Sequence, residues 1–249
     1  MAASSMGEAA FSIYELWCNK RIMADEMTQI QYQCRRCGTC CCKGGPALHL
    51  EDEELVVSGR IPLKELFTIR QGEPAFDNVR GVVSPAPTDI IKIKGAAQTD
   101  ATCRFLNQEE VGCTIYDHRP VECRVLTCWD SRAITEMYDR DRLTRDRLLS
   151  RLPGLSDLVA EHQERCSYRG IGQLTERIKS FQDENGEAAK ALLATVRYDQ
   201  SLRQVTVERS RLDRELLDFL FGLPLTETLI RFKVKLVRNG EHITIVSAF

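Results

Sequence analysis

The stretch Cys34-Arg-Arg-Cys37-Gly-Thr-Cys40-Cys41-Cys42 sets five thiols within nine residues, and it constrains this chain more than any other feature. A loop of small and polar residues has little apolar surface with which to order itself, whereas a bound metal can fix it. Thiolate sulfur is the soft ligand that zinc and iron–sulfur clusters select, and two-residue spacers let one loop aim several sulfurs at one centre. A second group, Cys103, Cys113, Cys123 and Cys128, lies downstream, so the chain is expected to work through a cysteine-ligated metal centre.

Composition narrows the setting. A chain of 249 residues, 43% hydrophobic and 28% charged, matches an ordinary globular protein that can bury a real core. A net charge of -2 argues against a bulk nucleic-acid binder. No run of about 18 apolar residues suggests a membrane span. The small, polar start at Met1–Ala10 lacks a secretory pattern, which points to a reducing cytoplasm where clustered thiols act as ligands or redox groups. The odd total of eleven cysteines also disfavours a disulfide framework.

The reading is an α+β protein: a small loop-rich cysteine module wrapped by helices, then a mostly helical C-terminal half ending in a β-hairpin. Residues 1–30 contain a helix over Phe11–Ile30, residues 31–130 form the cysteine module, and residues 131–249 complete one compact unit with it. Within the module a short strand is expected at Ala47–Leu50, a helix at Glu51–Ser58 stopped by Gly59, a loop at Gly72–Pro87 and a strand at Asp89–Lys94. Arg119-Pro120 opens a short helix. Ser131–Leu152 reads as one amphipathic helix whose mixed charges suit a solvated face rather than nucleic acid. Further helices are expected over Gly172–Ser180, Gly186–Asp199 and Ser210–Gly222.

Asn239-Gly240 is a strong hairpin signal. Pairing Arg238 with Glu241 would set Leu236 against Ile243 and Val234 against Ile245. The apolar face so formed should cover the leucine-rich helix at Ser210–Gly222.

Cys34, Cys37 and Cys40 have the spacing of the first three ligands of ferredoxin-type clusters. Neighbouring residues on an extended loop point apart. Either Cys40 or Cys41 is therefore an outlying thiol, or the loop feeds two centres. Cys103, Cys113 and Cys123 supply further thiols beside the apolar anchors Phe105, Leu106, Ile115 and Tyr116. Arg119 and Arg124 are candidates to offset an anionic thiolate centre. His118 lies between Cys113 and Cys123 but beside charged neighbours, which favours exposure; His49, His162 and His242 read as structural or solvent-facing.

The series Cys34-x2-Cys37-Gly-x-Cys40-Cys41, Cys103-x-Phe-Leu and Cys113-x-Ile-Tyr-x2-Arg119-Pro120-x2-Cys123-Arg124 resembles the YkgJ-like cysteine-cluster family over roughly Gln33–Cys128. Its members are described as zinc- or iron-chelating. The resemblance implies metal chelation by Cys34, Cys37, Cys40, Cys41, Cys103, Cys113 and Cys123. Cys42, Cys128 and Cys166 are extras to the pattern.

Seven motif cysteines exceed what one tetrahedral zinc needs, which favours an iron–sulfur cluster of the 4Fe–4S type in an electron-transfer or redox-supporting role, with a redox or protein partner. A structural zinc module is the alternative. A third class is a group-transfer enzyme, since flagellin lysine N-methylases also resemble this family. No nucleotide loop, Ser-His-Asp pattern or paired carboxylates stand out to assign catalysis.

Overall fold

The computed structural model describes residues 34–248 apart from 35, 98–99, 108, 111, 153, 181–185, 211 and 240–241. The helix expected over Phe11–Ile30 lies outside them. The described chain is α+β, with small antiparallel strand pairs, a helical C-terminal half and a terminal hairpin.

A one-turn helix, α1 (Thr39–Cys42), starts at Gly38, whose φ of 80° is left-handed and suits only glycine well. Gly45 is fixed by space: a Cβ there would lie 2.3 Å from the Ile93 carbonyl oxygen. Helix α2 (Glu53–Val57) follows, with acids in its first turn and Gly59 beyond its end at φ 77°. Strand β1 (Leu66–Ile69) pairs antiparallel with β4 (Ile90–Ile93). Between them, the expected loop at Gly72–Pro87 is instead a hairpin of β2 (Pro74–Asp77) and β3 (Val82–Pro85). Its prolines stand opposite each other at the open end, and the Asp77 carboxylate accepts from the Val79 and Arg80 amides to make the turn.

Two short pairs carry the next cysteines: β5 (Gly95–Ala97) with β6 (Asp100–Cys103), and β7 (Leu106–Asn107) with β8 (Gly112–Cys113). Helix α3 (Val121–Val125) opens at Pro120 and bears Cys123.

The single helix expected over Ser131–Leu152 is two, α4 (Arg132–Met137) and α5 (Arg145–Leu149). Asp141 adopts φ 46°, and the chain then pairs with the segment after the cysteine loop: Leu50 N–H donates to Asp141 O and Leu143 N–H to Leu48 O. Those long-range bonds override the helical period. Helices α6 (Leu155–Arg165), α7 (Tyr168–Lys179) and α8 (Glu187–Ser210) complete the C-terminal bundle. Helix α8 outruns the expected end at Asp199 because its buried stripe turns polar there: Ala188, Leu192 and Val196 give way to Asp199, Arg203 and Thr206. The expected helix over Ser210–Gly222 shrinks to α9 (Leu217–Phe221), preceded by a 3-10 turn at Arg214–Leu216. A last short helix, α10 (Leu225–Thr228), leads to the terminal hairpin.

Two apolar cores result. The first gathers Leu48, Ile61, Leu66, Ile91, Ile93, Leu143 and Leu149 with Leu217 and Phe219–Phe221 of α9. The second holds Cys166, Tyr168, Ile171, Leu192, Val196, Leu225, Leu229, Val234 and Ile245.

The terminal hairpin, β9 (Val234–Asn239) and β10 (His242–Ser247), belongs to the second core. It packs on α7 and α8, not on the Ser210–Gly222 segment, which is already buried in the first core. Its register also differs from expectation: Asn239 stands opposite His242 and Leu236 opposite Ile245. The slip is two residues, so the buried face survives, with Val234 and Ile245 both inside.

Candidate metal centre

The elements just described bring the two cysteine groups together. Cys34, Cys37, Cys40, Cys41, Cys103, Cys113, Cys123 and Cys128 all line one cavity of about 260 Å³. Helix α1 packs against β6, which delivers Cys41 toward Cys103. Strand β8 contributes Cys113 and α3 contributes Cys123. Cys128 comes from a turn closed by the Thr127–Asp130 bridge. All eight are free thiols, whereas Cys42 is disulfide-bonded.

The thiols differ in depth. Cys103 is part of the first core, and Cys41 packs against it beside Phe105 and Ile115. Cys37, Cys113 and Cys123 are half-buried, while Cys34, Cys40 and Cys128 are exposed. Burial pushes the Cys41 thiol up to about 12, with Cys103 and Cys113 adding their repulsion. Burial and then Cys128 push Cys40 up to about 11. Cys123 rises further still, first by burial and then through Cys103, Cys41 and Cys113. The upward push favours protonated thiols, and a metal bound by them would release those protons.

Separation adds a second constraint. Zinc–thiolate bonds of about 2.3 Å put the sulfurs of a tetrahedral site roughly 3.8 Å apart. Among the described residues, no three sulfurs of this cavity lie within 4.8 Å of one another. The group that does is His162, Cys166 and Asp199, all buried in the C-terminal half. Protein groups already satisfy that aspartate: His162 Nε2 lies 2.8 Å from Oδ1, Arg203 Nε donates to the same oxygen, and the Leu225 amide donates to Oδ2. With Arg70 and Arg203 both acting on the histidine, the triplet reads as a buried polar anchor. Cys166 fills the second core there, remote from the other thiols.

The two arginines separate. Arg119 lies 3.9 Å from the Tyr116 ring centroid, with Arg36 at 3.8 Å, and its charge opposes the upward push of burial on Cys113. Its Nε is buried without a hydrogen-bond partner. Arg124 instead reaches Glu51 at 3.3 Å, on the surface. Both line a second recess of about 440 Å³ with Cys34, Cys123, Cys128 and Trp129. His118 is exposed, faces Arg60 and does not line the cysteine cavity.

Sequence reasoning missed the clamp around Cys123. Glu122 accepts from the Ala47 amide at 2.7 Å and stands 3.2 Å from His49 Nε2. Asp52 accepts from the His49 and Val121 amides. These bonds tie α3 to the segment just after the cysteine loop across some seventy residues, so the two halves of the site cannot drift apart. Lys92 on β4 also lines the cavity; removal from water lowers its pKa, while Glu122, Cys103 and Cys123 oppose that. The alternation Ile91-Lys92-Ile93 placed Lys92 on the face opposite the core, the one signal that could have found it.

Residues 33–143 match the family model "CxxCxxCC: Putative zinc- or iron-chelating domain", which supports metal binding by this part of the chain. No curated protein and no solved structure matches the chain. Among the described residues no helix is long and apolar enough to cross a membrane.

Proposed function

We propose that the cysteine cavity binds iron–sulfur chemistry and that the protein exchanges electrons with a partner. The observation that carries this reading is eight free thiols around one cavity, twice the number that one tetrahedral zinc takes. Iron–sulfur clusters are held chiefly by cysteine thiolates, which this cavity supplies. Cys34, Cys37, Cys40, Cys41, Cys103, Cys113 and Cys123 are the proposed pool of iron–sulfur ligands in the cavity. Apolar neighbours Phe105 and Ile115 would keep water from the inner sulfurs, and Arg119 would offset their charge. The arginine-lined recess at Cys34 and Cys128 offers the partner a way in.

Anaerobic purification of the full chain tests this. The expected product absorbs broadly near 400 nm (approximately) and contains iron with acid-labile sulfide. A colourless protein holding only zinc would overturn the reading and make the cavity a structural zinc site.

A further inference from the structure

We infer that the cavity holds two metal centres: an inner one on Cys41, Cys103, Cys113 and Cys123, and an outer one on Cys34, Cys37, Cys40 and Cys128. The inference rests on the metal-binding reading above but not on which metal is bound.

Helix α1 makes the division. Consecutive residues on a helix diverge by about 100°. Cys40 and Cys41 are consecutive on α1, so their sulfurs leave the backbone in different directions. Cys41 turns into the first core and Cys40 turns outward, where it is exposed. One centre cannot draw on both without unwinding that turn, whereas two centres on either side of it can.

Depth and anchoring follow the same line. The inner partners Cys103, Cys113 and Cys123 sit on β6, β8 and α3, elements tied into the first core or the Glu122–Asp52 clamp. The outer partners come from the loop before α1 and from the turn at Cys128. Exposure agrees: Cys103 is buried and Cys113 and Cys123 are half-buried, whereas Cys34, Cys40 and Cys128 are exposed. Each set numbers four, the number of thiolates that a structural zinc or a cubane cluster takes. Cys128 is not one of the seven motif cysteines, and it is the residue that completes the outer set.

Metal analysis of the full chain, purified without oxygen, against the variant Cys40→Ser/Cys128→Ser decides the matter. Both residues are exposed, and circular dichroism checks that the variant folds. The expected result is a twofold drop in metal per chain, with the remaining centre unchanged in its spectrum. Equal metal in the two proteins, or complete loss from the variant, would overturn the two-centre assignment. Iron against zinc judges the proposed function separately, since the twofold ratio holds for either. A wild-type chain that takes up no metal under any condition would sink both.

Discussion

His49 and His162 are both buried, at 2% and 0% exposure, and each faces a carboxylate, yet their surroundings shift their pKa values in opposite directions. Burial disfavours a charged His49, but Glu122 and the Arg140 carbonyl outweigh it and raise its pKa. Burial wins at His162, helped by Arg70, and takes it down to about 4 despite Asp199. Neutral His162 donates through Nε2 to the Asp199 carboxylate, leaving Nδ1 without a partner. The contrast runs through the two regions. Around the cysteines, charged clamps hold short elements at the edge of the first core. In the C-terminal bundle, long helices and a hairpin bury an apolar core, and Arg203 ties α8 to the first core by donating to the Phe221 and Gly222 carbonyls.

Metal removal should break the comparison most sharply. Chelation is expected to cost the cysteine region on the order of 10 kcal/mol of order. Hydrogen exchange should then show the amides of β5–β8 and α3 unprotected while those of α7 and α8 stay slow. Simultaneous loss in both regions would mean that the bundle is not independent of the site.

Next in size is Asp199→Ala. It leaves the Arg203 guanidinium buried without its carboxylate and the Leu225 amide unpaired, a loss of about 3–5 kcal/mol. Denaturant unfolding should show this drop with metal content unchanged. A metal-free variant would tie the two regions together.

Acid should distinguish the histidines. Between about pH 6.5 and 4 the unfolded chain protonates His162 while the folded chain does not, so stability falls with pH there, by on the order of 3 kcal/mol in all. His49 acts in the other sense: its contribution is complete below about pH 6.5 and is lost as pH rises through its higher folded value. His162→Gln should flatten the acid limb and His49→Gln the alkaline one, read from unfolding midpoints across the range. An unchanged acid limb in the first variant would remove His162 from the account.

The smallest effects belong to the arginines. Arg119→Ala should lower the reduction potential or loosen the metal, because Arg119 opposes the upward push on Cys113. Arg124→Ala should change stability by less than about 1 kcal/mol and leave the metal alone, since its partner Glu51 is exposed. Equal potentials for Arg119→Ala and the wild type would detach that guanidinium from the site.

Much of this was legible beforehand where the signal is local. The period of two in Val234, Leu236 and Ile245 survives a wrong turn, because a slip of two residues keeps every side chain on its face. The break of the expected Ser131–Leu152 helix was not legible. Asp141 and Leu143 surrender their helical pattern to backbone bonds with residues over ninety positions away. The same holds for the hairpin's seat on α7 and α8, since Ser210–Gly222 offers leucines of equal hydrophobicity and only packing decides between them.

Cysteine spacing alone fixes which atoms are offered to a metal, and thiolate softness limits what they take. Only the tertiary structure decided how those thiols divide, and that Lys92, Glu122 and His49 stand around them. Ligand identity is a property of single residues, whereas depth, direction and clamping arise when β4, β6, β8, α1 and α3 meet. No local pattern encodes that meeting, because the bonds that enforce it, such as Val121 to Asp52, join residues far apart in the chain.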